Sequence, residues 1–157
     1  MKFENVEFKK QKCFGIEEHI TTENKKEGLI NTMWMTFVES VDYTTSEVLY
    51  GVSRNFDMTT LEFDYSVCAE IKTPILKEFE KKEITIPGGK YAKFKSKGIM
   101  NTETIEKFYT DVFTFAMVGG EITSDMERGI NSFELYDNSY LGMDNPESIY
   151  YLLIPIK

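Results

Sequence analysis

The chain has 157 residues, 41% hydrophobic and 28% charged, which suits one globular domain whose core is large enough to need no staples. Its formal net charge of −8 argues against nucleic-acid binding, which needs clustered Lys and Arg to meet phosphates. No apolar run is long enough for a membrane span, and the single histidine, His19, has no second His or Cys at zinc-ligand spacing.

Cys13 and Cys68 show no CxxC spacing, and residues 1–20 contain no apolar leader core, so the expected setting is a reducing, cytoplasmic one. Neither a metal nor a cofactor is implied. Aromatic residues reach 14%, with 12 Phe, 9 Tyr and 1 Trp. The tyrosines are the informative part, because a buried hydroxyl needs a partner.

Residues 5–21 alternate loosely and predict a strand with a break near Gly15. A helix follows, capped by Thr22 or Asn24, with Leu29, Met33, Phe37 and Val41 repeating every fourth residue and Trp34 beside them. Residues 47–55 and 61–72 are rich in β-branched and aromatic side chains and predict two strands joined by the NFDMTT turn. Residues 81–97 predict an extended segment with a bulge or turn at Pro87, Gly88 and Gly89. A second helix is expected over 102–117, capped by Asn101 or Thr102 and ended by Gly119 and Gly120. Strands at 132–138 and 148–157 close the chain.

The order is β-α-β-β followed by β-α-β-β, with halves of about 1–78 and 79–157 and little sequence identity between them. Pairing the two copies predicts an α+β single domain. It would hold one antiparallel sheet with both helices on one face and a cleft on the other.

Four segments carry a resemblance: NTMWMTF with Trp34 and Phe37, YGVSRNFD at 50–57, IPGGKYAKFKSKG at 86–98, and SFELYD at 132–137 with the terminal YYLLIPIK. In this order and spacing the chain resembles the GyrI-like small-molecule-binding proteins. That superfamily includes effector-binding domains of multidrug-responsive and AraC-type transcription activators. The resemblance implies an aromatic cleft with one buried Glu that takes amphipathic, often cationic, organic molecules. Matching motif to motif places that acid at Glu134 and pocket tyrosines at Tyr50 and Tyr150, or Tyr151 if the register slips by one. Many members carry a helix-turn-helix domain, for which 157 residues leave no room. The implied role is therefore a sensing, sequestering or protein-interacting module rather than a direct transcription factor.

In SFELYDN, Phe133 and Leu135 point to one sheet face while Glu134 and Tyr136 point to the other. If Phe133 and Leu135 pack under the helices, Glu134 and Tyr136 share the open face, where a carboxylate among aromatics attracts a cation. Trp34, Tyr65, Tyr91 and Tyr136 are further candidates for lining the cleft, each weighed against plain core packing. The alternative function is enzymatic: hydrolysis of strained electrophiles, with Glu134 as general base and Tyr50 or Tyr150 as acid. The glycine pair Gly88-Gly89 lacks the Lys-Ser/Thr of a phosphate loop and reads as a turn. Lys90, Lys93, Lys95 and Lys97 read as a solvated edge, Cys68 as a buried hydrophobe, and a protein partner has no support in these residues.

Overall fold

A computed structural model describes residues 1–157. The chain forms eight strands: β1 (Glu4–Phe8), β2 (Gln11–Ile20), β3 (Leu49–Arg54), β4 (Phe63–Glu70), β5 (Lys82–Ile86), β6 (Gly89–Lys97), β7 (Ser132–Tyr136) and β8 (Ile149–Pro155). Three α-helices join them: α1 (Thr22–Lys26), α2 (Leu29–Ser40) and α3 (Thr102–Val118). All strand pairs are antiparallel, in a single sheet of order β1-β6-β8-β7-β3-β4-β2-β5. The protein is thus α+β, as its pattern predicts.

The sheet is built on two long kinked strands. Residues 4–20 bend between β1 and β2, residues 82–97 bend between β5 and β6, and the register runs on across both bends: Phe8 faces Gly89 and Gln11 faces Ile86. Sequence pattern places the first break at Gly15, but the strand passes straight through it. A Cβ at Gly15 would lie 1.8 Å from the Val67 carbonyl, so glycine there permits close pairing with β4. The Gly88-Gly89 pair serves the crossing: a Cβ at Gly88 would sit 2.9 Å from the Lys10 nitrogen, and Gly89 has φ +133°.

Helix ends follow the expected chemistry with one shift. A single helix after residue 21 becomes two, because Gly28 adopts φ +85° and separates α1 from α2. Thr21, rather than Thr22 or Asn24, caps α1 through a capping box with Asn24. Asn101 caps α3 in the same way with Thr104.

Each long helix covers one half of the sheet. Met33, Phe37 and Val41 pack on Phe14, Ile20, Val67 and Ala69, while Val112 and Ala116 of α3 pack on Ala92, Phe94, Leu152 and Ile154. Burying a side chain such as Phe37 contributes roughly 1.5–3 kcal/mol. The opposite face curls around a third cluster that includes Cys13, Tyr50, Cys68, Ile86, Tyr91, Phe133 and Leu153. Curvature is evident in Phe8 of edge strand β1, whose ring lies 4.9 Å from that of Phe133 in mid-sheet.

This packing reverses the expected orientation of β7. Phe133 fills the interior of the curl with Phe8, Tyr50 and Tyr91, and Glu134 with Tyr136 therefore points to the helix face. Glu134 thus lies on the side of the helices, in the seam between Trp34 of α2 and Tyr109 of α3. The physical reason is volume: a curled sheet offers an interior that a large aromatic such as Phe133 fills.

Candidate functional site

β3 and β7 meet at mid-sheet with Gly51 directly opposite Glu134. A Cβ at position 51 would stand 2.3 Å from the Tyr65 hydroxyl and 2.5 Å from Oε1 of Glu134. Glycine at this one buried position is what lets the neighbouring side chains close over the strand.

Three tyrosine hydroxyls donate to the Glu134 carboxylate. Tyr65 (β4) and Tyr136 (β7) reach Oε1 at 2.7 and 2.9 Å, and Tyr109 (α3) reaches Oε2. The Tyr65 hydroxyl in turn accepts from the indole Nε1 of Trp34 (α2) at 3.1 Å. Both helices therefore lean on the same acid, one through Trp34 and the other through Tyr109.

Aromatic rings wall the site. The Trp34 ring lies 5.0 Å from that of Tyr136, edge to face, and Tyr136 stacks on Tyr150 at 5.4 Å and 13°. Tyr140, from the β7–β8 connection, meets Tyr136 edge-on at 5.0 Å, and Phe108 meets Tyr150 at 5.5 Å. Tyr65 and Tyr150 are buried, whereas Trp34, Tyr109, Glu134 and Tyr136 are half-buried and line the accessible side. The Tyr150 hydroxyl is buried without a hydrogen-bond partner.

Glu134 is reached from solvent only in part, and its carboxylate is packed among rings densely enough for burial to govern its ionisation. Burial raises its pKa above the usual glutamate range, against the lowering effect of the Tyr109, Tyr65 and Tyr136 hydroxyls. Tyr65, Tyr109 and Tyr136 are pushed well above the ordinary tyrosine value by burial and by the nearby carboxylate. The phenols stay protonated and serve as donors.

The structure brings together Glu134, Trp34, Tyr65, Tyr136 and Tyr150. It does not bring Tyr50 or Tyr91 to them. Tyr50 packs on Phe8 and Phe133 inside the curl, and Tyr91 lies there too, donating to the Pro87 carbonyl. Tyr150 rather than Tyr151 shares the Glu134 face, since Glu134 pairs with Leu152; Tyr151 lies on the other face under the Lys93 ammonium. Tyr109 was not singled out by the sequence pattern, although Ile105, Tyr109 and Phe113 recur at helical spacing beside the apolar stripe. Tyr140, in a loop, carried no periodic signal.

Other singled-out groups lie elsewhere. His19 sits in the open between Glu62 and Asp64, at 2.7 and 2.8 Å, and burial holds Cys13 and Cys68 inside the curl. Two open surface hollows, one within 141–146 and one between Lys95–Ile99 and α3, do not include Glu134. No helix is long and apolar enough to cross a membrane.

A family model described as GyrI-like small molecule binding domain matches residues 1–157. No curated protein sequence matches the chain. Among solved structures, an integron cassette protein from the mobile metagenome of Vibrio cholerae is similar at TM-score 0.71 and 17% identity, covering 99% of this chain and 95% of that one. SAV2435, solved bound to tetraphenylphosphonium, is similar at TM-score 0.68 and 13% identity, with 100% and 94% covered. EcmrR, from its DNA complex, is similar at TM-score 0.64 and 12% identity; 99% of this chain matches 57% of that one.

Proposed function

This chain belongs to the GyrI-like small-molecule-binding domain family, and from that premise we propose that it binds amphipathic organic cations in the seam between α2 and α3. Glu134 supplies the counter-charge, and Trp34, Tyr109, Tyr136 and Tyr150 supply the apolar and aromatic walls. The observation that carries this reading is one carboxylate at the centre of a ring of aromatic side chains drawn from both helices and three strands. A structural relative of the same fold is bound to tetraphenylphosphonium, and a lipophilic cation of that kind is what this chemistry favours.

The physics is direct. A half-buried carboxylate in a weakly screened setting attracts a cation more strongly than one in water. Aromatic faces add roughly 0.5–2 kcal/mol each where the cation is desolvated. No bond needs to be made or broken, and the module would sense or sequester its ligand. The enzymatic reading with Tyr50 as acid loses its geometry, because Tyr50 lies on the sheet face opposite Glu134.

Trp34 provides the assay, since its indole is hydrogen-bonded to Tyr65 and packed on Tyr136. Tetraphenylphosphonium and neutral triphenylphosphine oxide are titrated into wild type and Glu134→Gln while Trp34 emission is followed. The cation is expected to lose about tenfold or more in affinity in the variant, the equivalent of about 1.4 kcal/mol, and the neutral compound much less. Equal binding of the cation by both proteins would sink the proposal.

A further inference from the structure

We propose that Tyr109, with Tyr65 and Tyr136, determines which cations the seam accepts. By filling the Glu134 carboxylate with their own hydroxyls, these residues favour cations that lack N–H groups over ammonium ions of the same shape. The inference rests on the reading of Glu134 as counter-charge.

A carboxylate offers about four lone-pair positions. Tyr65 and Tyr136 take both positions on Oε1, and Tyr109 takes one on Oε2. One position remains. The Tyr65 hydroxyl is not free to turn away, because it is also the acceptor for the Trp34 indole, whose N–H would then be orphaned. Tyr136 is held between the rings of Trp34, Tyr140 and Tyr150. Tyr109 reaches in from α3, and its half-buried ring packs on Phe108 and Phe113.

A primary ammonium brings three N–H donors, each of which must surrender water on entering the seam. It would find one open site on the carboxylate, and its remaining donors would meet only phenol oxygens, weaker acceptors than an ionised carboxylate. A quaternary ammonium or phosphonium has no such donors. It keeps the long-range attraction of Glu134 and the pull of the aromatic faces, both of which act without hydrogen bonds. Selectivity here comes from denying acceptors to the wrong ligand as much as from contacts to the right one.

Weaker hydration alone favours a quaternary ion, so the diagnostic quantity is how the preference changes when one hydroxyl is removed. Tyr109→Phe keeps the ring and frees a lone-pair position on Oε2. Naphthylmethyl-trimethylammonium and naphthylmethylammonium are compared by calorimetric titration of wild type, Tyr109→Phe and Glu134→Gln. Wild type is expected to prefer the trimethyl ion by about tenfold or more. In Tyr109→Phe the ratio of the two affinities should move about tenfold toward the primary ammonium, the worth of one hydrogen bond to a charged group, whatever the change common to both ions. Tyr136→Phe frees a position on Oε1 and replaces Tyr109→Phe if the latter loses the native circular-dichroism spectrum.

Equal affinity for the two ions in wild type, or an unchanged ratio in a folded hydroxyl-deletion variant, overturns the inference. If both ions bind and both weaken in Glu134→Gln without any change of that ratio in the tyrosine variants, only the inference fails. If neither ion binds wild type, the proposed function fails and the inference with it.

Discussion

Gly51→Ala isolates the close approach on which the Glu134 cluster depends. The added methyl would stand 2.3 Å from the Tyr65 hydroxyl and 2.5 Å from Oε1 of Glu134, so the Tyr65–Glu134 hydrogen bond must open. A hydrogen bond to a charged group is worth about 1.5–3 kcal/mol. Against that loss stands a gain of about 0.4–1 kcal/mol from stiffening the unfolded chain, available because Gly51 has no positive φ. The net cost is about 1–2 kcal/mol, a fall in Tm of roughly 2–8 °C for a domain of this size. Thermal unfolding followed by circular dichroism measures it, and Trp34 emission should shift as its Tyr65 partner is displaced. The mechanism is tested by a double-mutant cycle. In a Tyr65→Phe background the hydroxyl is already gone, so Gly51→Ala should cost at least about 1 kcal/mol less than in wild type. Additive effects, or a variant as stable as wild type with unchanged emission, would refute the reasoning.

Three further outcomes are expected. Cation affinity should fall as pH drops through the raised Glu134 pKa: only the ionised carboxylate attracts the ligand, so the loss begins at higher pH than an ordinary glutamate near 4.5 would give. Titrations across the acid range should show this in wild type and a flat profile in Glu134→Gln. The lone His19 should titrate above its usual 6.5, because hydrogen bonds to Asp64 and then Glu62 favour its charged form. Its contribution to stability is complete below 6.5 and disappears as pH rises through the raised value, and Asp64→Asn should bring the imidazole proton-resonance midpoint down. Phe37→Ala removes a fully buried ring packed on Phe14 and Phe79 and should cost roughly 3–5 kcal/mol in denaturant unfolding; a cost below about 1 kcal/mol would contradict the assigned core.

Much of the fold was legible because local chemistry announces it. The four-residue spacing of Met33, Phe37 and Val41 marks the buried stripe of α2, and Asn101 marks the start of α3. The kinks were harder to read. Gly15 and Gly51 are glycines that serve close strand approach inside continuous strands, and nothing local separates such a glycine from one at a bend. Which face of β7 meets the helices was likewise undecidable from alternation. Period-two patterning says that Glu134 and Tyr136 share a face, and only the curl of the sheet decides which side it is. Tyr109 is the clearest omission: it lies beside the stripe of α3, and its meaning depends on β7, some 25 residues later in the chain.

The arrangement also explains why a single acid sits where it does. β2 pairs with β4 as β6 pairs with β8, and β3 meets β7 between these two sets with Gly51 facing Glu134. Tyr65 on β4 and Tyr150 on β8 flank this meeting point from either side, both buried on the helix face. The environment is thus nearly balanced about the seam, but its occupants are not: one side contributes glycine and the other a carboxylate. Two carboxylates facing each other at this spacing would repel and raise each other's pKa, and two glycines would leave no charge. With one of each, the carboxylate gains the space that glycine vacates and the hydroxyl of Tyr65 beside it. On the β8 side the Tyr150 hydroxyl is left without a partner, and Glu134 is reached there by Tyr109 of α3 instead. The most informative property of the chain is therefore this asymmetry at position 51 against position 134, since exchanging either residue alone should disable the cleft while leaving most of the sheet intact.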